Sequence, residues 1–258
     1  MLPIRRKTRG RRWVETVWDE QRIRWLHDAS VYTGYDRRLA ALLLAHIPRR
    51  TSLCDVGCGA GLVDAELAPY FREVTCVDRS AEAVAATDAL LRARGVRGVT
   101  TLCADARSLS GRWDTVLALF HGGAEALRYL PLARDRLVLA VRTERRGSFG
   151  PPERKRVKDF AASDAEELLR RRGVRYTRTD CALEHGQPLR SYRDAEAFVR
   201  AYSEPLPRCE LDAYLRASLR ETGRSDFPFY LPKEKKFALF IVYAQNIPRF
   251  GAETEALP

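Results

Sequence analysis

The segment Leu53-Cys54-Asp55-Val56-Gly57-Cys58-Gly59-Ala60-Gly61-Leu62 constrains this chain more than any other. An apolar run, Ser52 to Val56, leads into it, and a helical stretch reaching to about Phe71 leads out. Glycines at alternate positions allow a tight turn, let a ligand come close to backbone N–H groups, and let the helix pack near the strand. A small ligand is therefore expected at the turn, and the spacing chooses its kind. A dinucleotide fingerprint needs G-x-G-x-x-G, whereas here the third glycine arrives one residue early and Leu62 takes its place. There is also no Walker Lys followed by Ser or Thr, so a pyrophosphate cradle is disfavoured.

Strands and helices alternate around this turn. Apolar runs at Val74–Val77, Val99–Cys103, Thr115–Phe120, Arg136–Val141, Tyr176–Leu183 and Phe237–Tyr243 read as further strands. Before the core, Trp13–Ser30 and Asp36–His46 carry apolar residues at helical spacing. Ser80 is a good N-cap for a helix stopped by Gly95, and a Ser163–Glu166 capping box opens another, closed by Gly173. Strands joined by helices of this length need crossover connections, which implies a mostly parallel sheet with helices on both faces. Ser191–Ser203 and Pro207–Glu221 read as two more helices, inserted before the last strand and opening at the ligand edge as a plausible lid. The expected organisation is a basic tail at 1–12 and a single domain at 13–258, with a helical cap from 13–33 and 191–232.

Two acids complete the pattern. Asp78 stands seventeen residues after Gly61 at the tip of the second core strand, placed to accept both hydroxyls of a ribose. Asp105 ends the third strand in the same way and can accept an adenine amino proton. Asp55 can order the loop by accepting backbone N–H groups. Together these residues resemble the class I S-adenosylmethionine-dependent methyltransferases, whose glycine motif is matched from Asp55 through Gly57 and Gly59 to Gly61. The family's acid after strand two falls on Asp78, and its Asp-Ala pair after strand three on Asp105 and Ala106. The resemblance covers about 32–141 and implies a Rossmann-like, seven-stranded α/β sheet whose last strand, here Phe237–Tyr243, is antiparallel. It also implies S-adenosyl-L-methionine as cofactor and methyl transfer as the activity.

Because a sulfonium methyl is already activated, such an enzyme needs chiefly to align an acceptor and exclude water. His121, after the fourth strand, is the one histidine at such a tip, and its near-neutral titration suits it to take a proton from a hydroxyl or amine; capping the next helix or packing on the cofactor are the rival roles. The acceptor list is pruned by absences. There is no Asn/Asp-Pro-Pro-aromatic motif for a flipped base, no Pro-Cys nucleophile setting, and no acidic cluster of the metal-dependent catechol type.

Charge bears on the acceptor. The formal net charge is +11, and residues 1–12 hold six basic side chains and no acid. Arg142–Lys158 holds seven basic residues against two acids, where an anionic substrate can dock. The aromatic residues Phe198, Tyr202 and Tyr214, with Phe227-Pro228-Phe229-Tyr230, can line an apolar pocket. The expected acceptor is a small molecule, anionic or not. One alternative is an RNA or protein methyltransferase using the basic arm and the 142–158 loop, another a non-catalytic nucleotide-binding module. No apolar run approaches the ~18–20 residues of a membrane span, and the basic first residues lead into no hydrophobic segment. Six cysteines without a C-x-x-C pair, the first four in or beside strand-like runs, read as buried small residues rather than metal ligands, and a cytoplasmic location is expected.

Overall fold

A computed structural model describes residues 17–147 and 149–244; the basic tail expected at 1–12 lies outside them. Helix α1 (Glu20–Thr33) starts where the Asp19 carboxylate accepts the Arg22 N–H at 2.7 Å, and it ends at Gly34, whose φ of 63° turns the chain directly into α2 (Tyr35–His46). Residues 17–19 are thus not helical, although apolar spacing extended the helix back through them. Asp19 supplies the capping oxygen that the preceding aliphatic and indole side chains lack.

The core then alternates. Fully buried β1 (Ser52–Val56) leads through the glycine turn to α3 (Leu62–Leu67), and then come β2 (Glu73–Asp78), α4 (Ala81–Ala93) and β3 (Val99–Cys103). Ser80 caps α4, its Oγ accepting the Ala83 N–H at 3.2 Å. β4 (Trp113–Leu119) is followed by a 3-10 stretch at Gly123–Leu132, β5 (Ala133–Arg142), α5 (Ala162–Arg171) and β6 (Tyr176–Glu184). α5 begins earlier than its expected capping box. Asp164, not Glu166, reaches back to accept the Ala161 N–H at 2.8 Å, which leaves Ser163 inside the helix.

The seven-stranded sheet has the order β3-β2-β1-β4-β5-β10-β6, with β10 (Glu234–Tyr243) last in the chain. β1 to β5 pair in parallel, and β10 runs antiparallel to both β5 and β6. One face packs Leu39 and Leu43 of α2, with Ile47 just beyond it, on Leu53, Leu117 and Phe237. The other packs Tyr129, Leu130 and Leu169 on Val116, Leu137 and Phe240. Strands buried on both faces explain why continuous apolar runs located them.

The insertion between β6 and β10 is not purely helical. It comprises β7 (Gln187–Leu189), α6 (Tyr192–Tyr202), α7 (Arg208–Ser218), β8 (Arg220–Glu221) and β9 (Phe229–Leu231), and its strands form a small antiparallel sheet in the order β7-β9-β8. The helix expected to run to Glu221 stops at Ser218, because Arg220 and Glu221 pair with Tyr230 and Phe229. This cap has its own core, in which Trp25 of α1 and Phe149 join Leu189, Phe198, Leu211 and Leu231. All six cysteines are free. Cys54 and Cys76 are buried as expected, but Cys103 is exposed because β3 is an edge strand. Among the described residues, no helix is long and apolar enough to cross a membrane.

Candidate active site

The turn after β1 is made by Gly57, Gly59 and Gly61, with φ of 77°, 61° and 67°, backbone that side-chain-bearing residues rarely adopt. All three are also points of close approach, a β-carbon on Gly61 meeting the Thr87 side chain. A β-carbon on Gly57 would collide with the imidazole of His121, and one on Gly59 would lie 2.6 Å from the Trp18 ring. Two bonds tie the turn to β2, the Gly57 and Cys58 N–H groups donating to the Val77 carbonyl at 2.7 and 3.1 Å. The Thr87 hydroxyl of α4 donates to the Gly59 carbonyl at 2.9 Å.

Asp78 stands beside this turn, and its two carboxylate oxygens are held from two sides. One accepts the Gly59 N–H at 3.1 Å and the other the Ser80 N–H at 2.9 Å. Each oxygen keeps acceptor capacity, so the carboxylate is oriented without being used up. That geometry fits a vicinal diol such as a ribose edge. Asp105 lies two residues beyond β3 on an exposed 3-10 turn, accepts the Arg107 N–H at 2.9 Å and pairs with the Arg107 guanidinium, which holds its carboxyl down at about 2. Its oxygens are already shared with that cation. Ala106 follows at the start of the turn, half-buried.

His121 lies two residues beyond β4, close enough to both Asp78 and Asp105 to feel their charge, and partial burial lowers its pKa. At neutral pH it is a neutral base. Its Nε2 lies 3.4 Å from the Tyr129 hydroxyl, and the turn that follows is entered at Gly122 without a side-chain cap. Thus the fold brings Gly57, Gly59, Gly61, Asp78, Asp105 and His121 to one rim of the sheet. Asp55 stands apart beneath them. It is 1% exposed, accepts from none of the loop N–H groups, and faces the fully buried Asp64 of α3. Burial raises both carboxyls, Asp64 to about 7, and the charge of Asp64 adds to the rise at Asp55.

On the far side of His121 the rim carries Arg142, the first residue of the basic loop marked in the sequence, together with residues that the sequence did not single out. Phe120, whose φ is 57°, is the one non-glycine with positive φ among the described residues, and such strain is often found at functional sites. Lys235 at the start of β10 lies over it, and Arg142 and His185 stand near. Sequence spacing gave no signal for this group.

A parallel sheet with one reversed strand near its edge, a glycine turn after its first strand and carboxylates at the next two strand tips define a Rossmann-like α/β domain. Residues 53–134 match the family model described as a methyltransferase domain. The match covers 82 of the 258 residues and gives that segment the character of a methyltransferase domain. The ribosomal RNA small subunit methyltransferase C of Citrobacter koseri is 34% identical over 124 residues, 43% of this chain and 35% of that protein. The protein of that name from Enterobacter sp. is 34% identical over 118 residues, 44% of this chain and 34% of its own length. The chain thus spans about a third of the length of these relatives. Among solved structures, the YcgJ protein from Bacillus subtilis superposes with a TM-score of 0.52 at 14% identity, over 80% of this chain and 97% of that one. A SAM-dependent methyltransferase from Aquifex aeolicus gives 0.51 at 16% identity, over 88% and 99%. At these identities the superpositions speak for the fold.

Proposed function

We propose that this methyltransferase acts on a small-molecule acceptor, through O- or N-methylation, held between the rim of the sheet and the cap. What carries the reading is the cap itself. β6 ends and β10 begins at the ligand rim, and the chain between them folds into a roof with its own apolar core, which α1 joins through Trp25. The loop after β5 is tied to the same roof, since Glu204 N–H donates to the Arg154 carbonyl at 2.8 Å and Arg154 pairs with Glu210 at 2.8 Å. A covered rim suits an acceptor small enough to be enclosed and shielded from water.

In this reading Gly57, Gly59 and Gly61 let the donor lie close to the backbone, Asp78 accepts from its ribose hydroxyls, and Asp105 and Ala106 border its adenine. Asp55 supports the turn from beneath. The bound donor supplies an electrophilic methyl on a sulfonium. The protein's part is to hold an acceptor atom in line with it, and His121, neutral at physiological pH, takes the proton released by a hydroxyl or amine. Residues 13–258 act as one domain, with α1 and 187–231 as its roof.

A second reading is favoured by the ribosomal RNA methyltransferases that share 118–124 aligned residues with this chain. Here the acceptor is RNA and the basic residues at 1–12 hold its phosphates. One experiment separates the two. Methyl-labelled donor is offered together with a low-mass cell extract and with ribosomal RNA. Label in the low-mass fraction is expected; label in RNA alone, lost when residues 1–12 are deleted, overturns the small-molecule reading.

A further inference from the structure

Side chains from distant stretches of the chain meet at the rim beside Phe120. In β10, Lys235 and Phe237 are two residues apart and so share a face of the sheet. Arg142, the last residue of β5, lies directly across from Phe237 and so projects to that face too. The Phe237 ring meets the Phe120 ring edge-on at 5.5 Å, and Lys235 Nζ lies 3.5 Å from the Phe120 ring centroid and 5.0 Å from that of Tyr35. Tyr35 in turn meets His185 edge-on at 4.3 Å. The cluster is half-buried and walled by aromatic rings.

Its charges do not balance. Among the described residues neither Lys235 nor Arg142 has an ion-pair partner, and Lys158 adds a third positive charge within electrostatic reach of Arg142. Burial and the Arg142 charge press the Lys235 ammonium down to about 7, and burial with the charges of Lys235 and Arg142 holds His185 at about 3, so His185 is neutral. Asp36, at the start of α2, is the acid that Lys235 feels, yet the two form no ion pair. The Tyr35 hydroxyl, within reach of the Arg142 charge, is fully buried without a hydrogen-bond partner. Uncompensated cations in such a setting cost free energy that one anion would recover.

We propose that Lys235, Arg142 and Tyr35 form a carboxylate-binding subsite for the methyl acceptor, whose apolar or aromatic body rests on Phe120. This rests on the small-molecule reading above and narrows it to small organic acids. The cation-π contact of Lys235 with Phe120 holds the ammonium in place before the acid arrives, and the Arg142 guanidinium supplies a second, planar donor set. The positive charge of Lys158, within electrostatic reach of Arg142, favours the approach of anions.

The test uses the whole chain saturated with S-adenosylhomocysteine and titrated by calorimetry with benzoate, phenyl phosphate and benzamide. Benzoate is expected to bind at least about tenfold more tightly than benzamide, and Lys235→Met or Arg142→Met to lose about tenfold of the benzoate affinity while leaving that for S-adenosylhomocysteine unchanged. Lys235→Arg should keep most of it. Benzoate affinity of the unaltered protein should fall as pH rises through about 7, where Lys235 loses its proton. If a variant fails to fold, the ligand comparison and the pH profile of the unaltered chain decide. Benzamide binding as well as benzoate, a benzoate affinity indifferent to pH, or no binding of either overturns the subsite; phenyl phosphate outdoing benzoate reassigns it to phosphate esters and overturns the carboxylate. Labelled methyl entering neutral low-mass acceptors while acids are ignored would sink the subsite alone. Label entering RNA alone would sink the reading beneath it.

Discussion

The imidazole of His121 lies against Gly57, so closely that only a hydrogen fits where a side chain would begin. The tip of β4 and the turn after β1 are thereby one unit, and what disturbs either is felt at both. Gly57→Ala adds a methyl group into the ring and forces alanine to φ of 77°. The left-handed backbone alone costs about 1–2 kcal/mol. We expect S-adenosylhomocysteine affinity to fall by at least about tenfold with the far-ultraviolet circular dichroism retained; an alanine variant that binds normally would show that the donor does not use this turn.

Asp78 is the acid that backbone N–H groups orient. Asp78→Ala should weaken donor binding by roughly 1.5–3 kcal/mol, the range for a charged hydrogen bond. The same change removes the acceptor of the Gly59 and Ser80 N–H groups, so the melting temperature should fall as well. Calorimetry with S-adenosylhomocysteine and a thermal melt read the two effects separately, and an unchanged affinity in a destabilised protein would move the ribose elsewhere.

The Asp55–Asp64 pair makes stability depend on pH. Asp64 is raised from 3.8 to about 7 in the folded protein, so between those values the folded chain binds more protons than the unfolded one. Stability is greatest at the acid end of that window and is lost as pH rises through about 7. Asp64→Asn removes the titration, and its melting temperature should be less steep in pH and higher than that of the unaltered chain near about pH 8. Equal slopes for the two proteins would mean that the carboxyls ionise freely.

Asp194 fastens the cap to α1. Its carboxylate accepts the Trp25 indole N–H at 2.9 Å, an Arg24 guanidinium N–H at 2.5 Å and the Arg190 N–H at 3.1 Å. Asp194→Ala leaves the buried indole unpaired and should cost about 1–3 kcal/mol. Amide exchange should quicken in α1 and α6 before the sheet. Uniform exchange across the molecule would show that cap and sheet open together.

The inner strands β1, β4, β5 and β10 were legible because they are buried on both faces and so are written as nearly unbroken apolar runs, whereas the edge strands β3 and β6 are largely exposed and carry a weaker signal. The glycine turn and the strand-tip acids were legible because their spacing along the chain is itself the geometry. The small sheet of the cap was not, since Gln187–Leu189 and Phe229–Leu231 are too short to show a period and pair only through their tertiary setting. Asp64 gave no sign of its burial: an acid in a first helical turn is ordinarily solvated, and it is buried here by the close packing of α3 on the sheet. The meeting of Lys235 and Arg142 depends on a strand pairing that sets Arg142 opposite Phe237, 95 residues on, with β10 reversed. No local pattern encodes that.

The reversal of β10 has an architectural result. Both threads of the roof, the one leaving β6 and the one entering β10, are anchored at the same rim. The whole canopy can therefore be exchanged or tilted without rewiring the floor that carries the donor. Lys235 comes only a few residues past β9, yet it is already part of β10 and paired with Leu183 of β6, so its positive charge stays with the floor whatever the canopy does.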